Sequence, residues 1–212
     1  MRPHDLLRLR SGAGLRHEAS APAWVSASLI ETPWVVVRRA HAPAGLIPVG
    51  VRGHTRSERF AALLAPDAVA ARVAPEDLAA ARGWRHGTRA RQVSPLRVLG
   101  AVDELFASLG LAWGPTGSIG FELATGARVA GAASDLDVVV RAPERWPRER
   151  AREIADHLDR LAARVDAQID AGAGAVALAE YSRGGLVLLR TPDGPRLTRD
   201  PWREVAMDLR SA

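Results

Sequence analysis

The sequence predicts an α+β protein, with a C-terminal mixed sheet flanked by helices and a smaller α/β N-terminal domain before it. Three observations carry this reading. Short β-rich runs open the chain, among them Trp34-Val35-Val36-Val37. From Ser94 onward, stretches of helical period alternate with stretches that read as strand. Between the two, Gly83 to Val93 is polar, arginine-rich and irregular, and it divides the 212 residues into an N-terminal domain (1–88) and a C-terminal domain (89–212). That length suits one large domain or two small ones. A chain of this size buries roughly 70% of its unfolded surface and needs no disulfide or metal staple to fold.

In the first domain, Trp34 to Arg38 and Leu46 to Val51 are the strand candidates. Ser57 is placed to cap a helix through Leu64 that Pro66 would stop, and the alanine-rich segment Pro75 to Arg82 reads as a further helix. The second domain opens with Ser94 as an N-cap and Pro95 at the first helical position. Leu96, Leu99, Val102, Leu105, Phe106 and Leu109 then recur at helical spacing as far as Gly110. A glycine-broken stretch, Gly114 to Gly120, separates this helix from the strand Leu136 to Val140. Arg148 to Arg164 carries Ala151, Ile154, Ala155, Leu158, Leu161 and Ala162 on one face and predicts a second amphipathic helix. Val165 to Ile169 and Leu186 to Leu189 alternate as strands do. The order helix, glycine turn, strand, helix, strand, strand describes a small sheet with helices packed on it.

Composition excludes several chemistries. All 29 basic residues are arginine, against 24 acidic ones, for a net charge of +5. Without lysine there is no Walker-A P-loop and no Schiff base. Without cysteine there is no thiolate metal site, cysteine nucleophile or disulfide framework, and a reducing cytoplasm is the expected setting. No run approaches the roughly 20 apolar residues of a spanning helix, and no signal-peptide core is present, so no membrane partner is expected. The histidines are scattered and show no metal-binding spacing. Arginine forks match phosphate and carboxylate geometry. An Ala/Arg/Gly-rich composition equally accounts for arginine wherever charge is needed. No interleaving of aromatic and basic residues marks a nucleic-acid surface.

The chemistry concentrates in Asp135-Leu136-Asp137 at the start of a strand. Residues two apart on a strand face the same way, so both carboxylates project together. Two such groups repel unless a cation lies between them, and oxygen-only ligation suits Mg²⁺. Asp166 lies on the strand after the intervening helix, where strand–helix–strand geometry can bring it to the pair, with Asp170 as the alternative. Three aspartates around two Mg²⁺ ions suit an in-line phosphoryl-type displacement. Gly117-Ser118 supplies a turn whose N–H groups can cradle phosphate, with the serine hydroxyl as a further donor. Ser118 is not a nucleophile elbow, because Thr116 stands where that motif needs glycine.

Gly-Ser, then a strand-borne D-x-D, then a strand-borne Asp resembles the DNA polymerase β-type nucleotidyltransferase superfamily, which implies a nucleotidyltransferase-like sheet in the second domain. The spacer between Gly-Ser and the acidic pair is longer than that superfamily usually has. The run Gly117-Ser118-Ile119-Gly120-Phe121-Glu122 through Gly126, followed by Ser134-Asp135-Leu136-Asp137, resembles the malonate decarboxylase holo-acyl-carrier-protein synthase family, also called phosphoribosyl-dephospho-CoA transferases. The resemblance continues through Val165 to Gln168, Ala177 to Tyr181, Leu188 to Thr191 and Gly194-Pro195. It includes Arg2 to Leu7 and Pro48 to Gly53, with Arg56 and Arg59 following, and so spans nearly the whole chain. It implies transfer from triphosphoribosyl-dephospho-CoA to a serine of the apo acyl carrier subunit of malonate decarboxylase, with release of pyrophosphate. On this reading Asp135 and Asp137 hold Mg²⁺, Asp166 completes the metal site or takes the serine proton, and Gly117 and Ser118 cradle the triphosphate.

Arg52, Arg56 and Arg59 can grip the triphosphate or the carrier protein, or form a solvated basic face. Arg190 is a candidate phosphate contact. Glu180 reads as the partner of an arginine, and Phe121, Glu122 and Thr125 as donor-pocket or packing residues. Trp24, Trp34 and Trp113 are expected in the core, and Trp202 as an anchor for the C-terminal tail. Two other functions fit the same residues: nucleotidyl transfer to a nucleic-acid or small-molecule hydroxyl, and a non-catalytic arginine-rich module that binds an acidic protein.

Overall fold

The computed structural model describes residues 1–203 apart from 11–13, 18, 19, 56, 87, 88, 90–92, 132 and 133. The chain is α+β and builds two sheets. In the N-terminal part, β1 (Leu6–Leu9), β2 (Trp34–Val37), β3 (Ile47–Arg52), β4 (Arg59–Leu64) and β5 (Val69–Val73) lie in the order β4-β3-β2-β1-β5, every pair antiparallel. Alternation drives this sheet. Ile47, Val49 and Val51 of β3 face inward, and Leu7, Val35, Val49 and Leu64 are fully buried beneath α1 (Ala23–Glu31) and the loops around it.

The helix expected from Ser57 to Leu64 is instead strand β4. Alanine and leucine favour helix locally, but Ala62 and Leu64 alternate into the core and every residue from Arg59 to Leu64 pairs with β3. Tertiary pairing overrides a weak local preference.

A division at residue 88 leaves α2 (Pro75–Ala81) in the first domain, but α2 packs on β6 and α4, so the C-terminal part comprises α2, α3 (Ser94–Ser108), β6 (Trp113–Pro115), α4 (Gly117–Thr125), β7 (Leu136–Arg141), α5 (Arg148–Asp159), β8 (Val165–Asp170), β9 (Ala175–Ala177), α6 (Leu178–Arg183), β10 (Val187–Thr191) and β11 (Gly194–Thr198). Its strand order is β11-β10-β9-β8-β7-β6. Only β7 and β8 run parallel, because helix α5 returns the chain to the same end of the sheet before β8 begins. The expected helix to Arg164 stops at Asp159, and the turn from Arg160 to Arg164 is spent on that return. Ser94 is the first residue of α3, not its cap; Val93 holds that place, with no side-chain cap bond. The glycine-broken stretch forms β6 and the start of α4. Trp113 packs on Phe106 in the core, and Trp202 donates its indole N–H to the Ala142 carbonyl at 2.7 Å, fastening the end of the described chain.

A buried ion cluster joins the two parts. Arg141, on β7, donates to Glu76 of α2 at 2.7 Å and to Asp170 of β8. Arg39 reaches Asp170 from the end of β2 at 3.3 Å, and Arg2 reaches Glu76 at 2.9 Å. Among the described residues, no helix is long and apolar enough to cross a membrane.

Candidate active site

The parallel register sets Asp137 of β7 directly beside Asp166 of β8. Paired residues on adjacent strands present their side chains to the same face, so the two carboxylates are neighbours, as the strand–helix–strand reading requires. Asp135 stands one residue before β7 but borders the same groove as Asp137, together with Ser118, Gly117, Arg52 and Arg59. Asp170 lies further along β8, and its carboxylate is taken up by Arg141, Arg39 and the Gly172 N–H.

Helix α4 brings Gly117 and Ser118 to this point. The Thr116 N–H donates to the Asp137 carbonyl at 2.8 Å, and Gly120 N–H closes the first turn on Thr116 at 2.8 Å. The N–H groups of Gly117, Ser118 and Ile119 therefore emerge at a helix N-terminus, where the partial positive charge favours an anion. Gly117 has φ +58, and a Cβ there would lie 2.0 Å from Asp137 Oδ2. The turn and the carboxylate are packed that closely because this residue has no side chain.

The spacer after α4 is fastened at Ala130. Arg89 donates from Nε and Nη2 to both oxygens of buried Glu122, at 2.9 and 3.1 Å. The Ala130 N–H also donates to Glu122, and the Ala130 carbonyl accepts from Arg89. Glu122 thus ties Ala130 and Arg89 to α4. Thr125 is spent on its own helix end, with the Phe121 carbonyl and the Ala127 N–H as partners. Glu180 accepts from the Leu188 backbone N–H at 2.9 Å, not from an arginine.

Between the two sheets lies a cleft of about 500 Å³. The C-terminal part supplies Gly117, Phe121, Asp137 and Gln168, and the N-terminal part supplies His4, Arg38, Arg52 and Phe60. Arg52 sits over Phe121, 6.0 Å from the ring centroid, and its buried Nε has no hydrogen-bond partner among the described residues. Burial and then the neighbouring Arg59 hold its pKa below the usual arginine value, while Asp137 pulls the other way. A cation with spare donor capacity here is suited to an incoming anion. Arg56 falls outside the described residues. Arg190 lies exposed on β10, bordering a separate groove of about 310 Å³ with Asp137, Asp166 and Arg164. His4, Arg38 and Gln168 were not read as site residues from the sequence; His4 and Gln168 stood in motifs of the resemblance, without a role in the chemistry.

The acidic neighbourhood acts on Arg164. Arg164 is held above the ordinary arginine pKa, first by its hydrogen bond to Asp166 and the attraction of that carboxylate, then by Asp135 and Asp137. Three carboxylates therefore share one neighbourhood. Among the described residues, no three His, Asp or Glu side chains form a ready-made metal cage. Mg²⁺ rarely takes such a cage, and one or two carboxylates completed by substrate phosphates and water are its ordinary site. Asp137 at the α4 N-terminus, with Asp135 in the same groove or Asp166 on the next strand, fits that donor set.

Residues 78–201 match the family model described as the phosphoribosyl-dephospho-CoA transferase MdcG C-terminal domain, and residues 2–75 match the corresponding N-terminal domain. The chain is 46% identical over 209 residues to the phosphoribosyl-dephospho-CoA transferase of Azotobacter vinelandii, covering 96% of this chain and 95% of that one. It is 43% identical over 205 residues to the protein of the same name from Pseudomonas putida, covering 95% of each. No solved structure matches. With both halves matched in order and nearly the full length covered, the chain belongs to the phosphoribosyl-dephospho-CoA transferase family and is a transferase.

Proposed function

We propose that this chain moves the phosphoribosyl-dephospho-CoA group from triphosphoribosyl-dephospho-CoA to a serine of the apo acyl carrier subunit of malonate decarboxylase, in the cytoplasm. The observation that supports this most is Asp137, packed on the N-terminus of α4 and paired in register with Asp166 on the next strand, with Arg52 across the cleft. Two Mg²⁺ ions held by Asp135, Asp137 and Asp166 would neutralise charge on the phosphates and lower the pKa of the attacking hydroxyl.

The remaining chemistry belongs to the chain itself. Gly117 and Ser118 donate N–H groups to the triphosphate, and Arg52 offers its guanidinium fork to the phosphate oxygens, while Arg190 borders the groove of Asp166. The serine oxygen attacks the α-phosphorus while the bond to the α,β-bridging oxygen breaks. Pyrophosphate leaves, the new bond is a phosphodiester, and Asp166 accepts the serine proton. In-line displacement needs the entering and leaving oxygens on opposite sides of phosphorus. The groove with Ser118 and Asp135 lies on the β6 side of β7, and the groove with Asp166 and Arg190 lies on the β8 side. That division suits pyrophosphate departing over α4 and the carrier serine arriving over β8.

Incubating the enzyme with apo carrier subunit, donor and Mg²⁺ tests the proposal. The expected result is a carrier mass increase equal to the transferred group and one pyrophosphate per carrier. A folded enzyme that leaves the carrier unmodified overturns it.

A further inference from the structure

We infer that the dephospho-CoA end of the donor runs past Arg38 and lays its pantetheine arm in a second, apolar groove on the N-terminal sheet. This rests on the transfer reaction proposed above. The cleft opens towards the acidic groove through Arg52, Arg59, Gly117 and Asp137, which line both. It meets a different groove, of about 470 Å³, through a single shared residue, Arg38.

Arg38 directly follows β2 and is exposed, and its side chain has no ion-pair or hydrogen-bond partner among the described residues. Beyond it, the groove is walled by Leu46, Ile47, Pro48, Pro66 and Pro192, and Arg39 borders it too. Proline carries no N–H, so a wall this rich in proline offers few donors to water or to a polar ligand. The Nη2 of Arg39 lies 3.3 Å from Asp170 without hydrogen-bond geometry, leaving a buried donor to be satisfied.

Dephospho-CoA is a linear molecule of three chemically distinct parts: an adenosine, a diphosphate, and a chain of methylenes, paired methyls and amides. The environments follow in the same order. The cleft offers apolar walls at Leu6, Val36 and Phe60 for a flat base. Arg38 then presents a guanidinium suited to a diphosphate. The proline-walled groove suits an aliphatic chain. One cavity of the cleft's size holds a drug-sized ligand, so a donor with a triphosphate at one end and a pantetheine at the other needs a second compartment.

Calorimetry with adenosine, ADP and dephospho-CoA reads the three parts separately. For the wild type, each step along this series should tighten binding. Arg38→Ala should weaken ADP and dephospho-CoA by about tenfold and leave adenosine unchanged, since a charge-assisted contact to phosphate is lost. Leu46→Trp, which fills the groove from its half-exposed rim, should bring dephospho-CoA down to the affinity of ADP while ADP and adenosine stay as they were. Pro66→Trp fills the same groove from another wall and should act alike, so one misfolded variant does not decide the outcome. Wild-type protein that binds dephospho-CoA no better than ADP overturns the inference, and so do groove-filling variants that keep the full dephospho-CoA increment. Carrier modification by the wild type is read independently. If the carrier is modified and the ladder fails, the subsite alone is wrong; if the ladder holds and no carrier is modified, the transfer reaction is wrong.

Discussion

Gly117→Ala tests the heart of the site with one carbon atom. Gly117 holds φ +58, a left-handed conformation that costs an alanine about 1–2 kcal/mol. In a protein of this size that lowers Tm by about 2–8 °C. The added Cβ would also lie 2.0 Å from Asp137 Oδ2, where ordinary contact begins at 3.4 Å, so the turn and the carboxylate must separate. Displacing a reacting group by about 1 Å costs about 10²-fold in rate. Gly110→Ala isolates the second effect from the first. Gly110 has φ +63, and a Cβ added there would meet nothing within 4 Å, so it bears the backbone cost without touching the site. Pyrophosphate release measures activity, and calorimetric scanning measures Tm. Both variants should lose similar stability, and only Gly117→Ala should lose about 10²-fold in kcat. If its kcat stays within about threefold of that of Gly110→Ala, the close packing of turn and carboxylate does not matter for the chemistry and the site is misassigned.

Asp137→Asn should lower kcat by at least about 10²-fold; retained activity would remove Asp137 from the reaction. Asp170→Asn should cost about 3–5 kcal/mol in urea unfolding, since it leaves Arg141 and Arg39 buried against a neutral partner. Below its own unfolding transition it should keep most of its kcat, whereas Asp166→Asn should not; the reverse pattern would make Asp170 the third carboxylate. His4 should make the protein acid-sensitive. Burial, then Arg39 and Arg141, lower its pKa from 6.5 to about 4. The unfolded chain therefore binds the proton more readily between those values, so stability is full above pH 6.5 and falls as pH drops towards 4, by at most about 3 kcal/mol. Urea midpoints of wild type and His4→Gln at about pH 7 and about pH 4.5 check the sign: the wild type should lose more, and equal losses would refute it.

The parts of the site that lie on one strand–helix–strand unit were legible in the sequence, and the parts that need both sheets were not. Asp137 and Asp166 could be paired in advance because the two-residue strand period and a connecting helix leave little choice of face. Gly117 could be marked because a Gly-Ser turn before such a unit suggests close approach to an anion. The run Phe60-Ala61-Ala62-Leu63-Leu64 misled, because its propensity favours helix and only its pairing with β3 makes it a strand. The long spacer looked like a departure in the motif; it is the segment that Glu122 and Arg89 hold to α4, 33 residues apart in sequence, a bond no local pattern encodes. The cleft is harder still. Arg38 and Arg52 flank two antiparallel strands that read only as a small sheet, and nothing in their neighbours distinguishes them from other arginines in a lysine-free chain. What distinguishes them is the face they share with Asp137 and Gln168, which exists because the ion cluster of Arg141, Glu76, Asp170 and Arg39 seats one sheet beside the other. The carboxylates proposed to do chemistry are thus set by local topology. The residues proposed to hold the donor depend on how the two sheets dock, so a substitution in that ion cluster should loosen dephospho-CoA binding in calorimetry even where Asp135, Asp137 and Asp166 are intact.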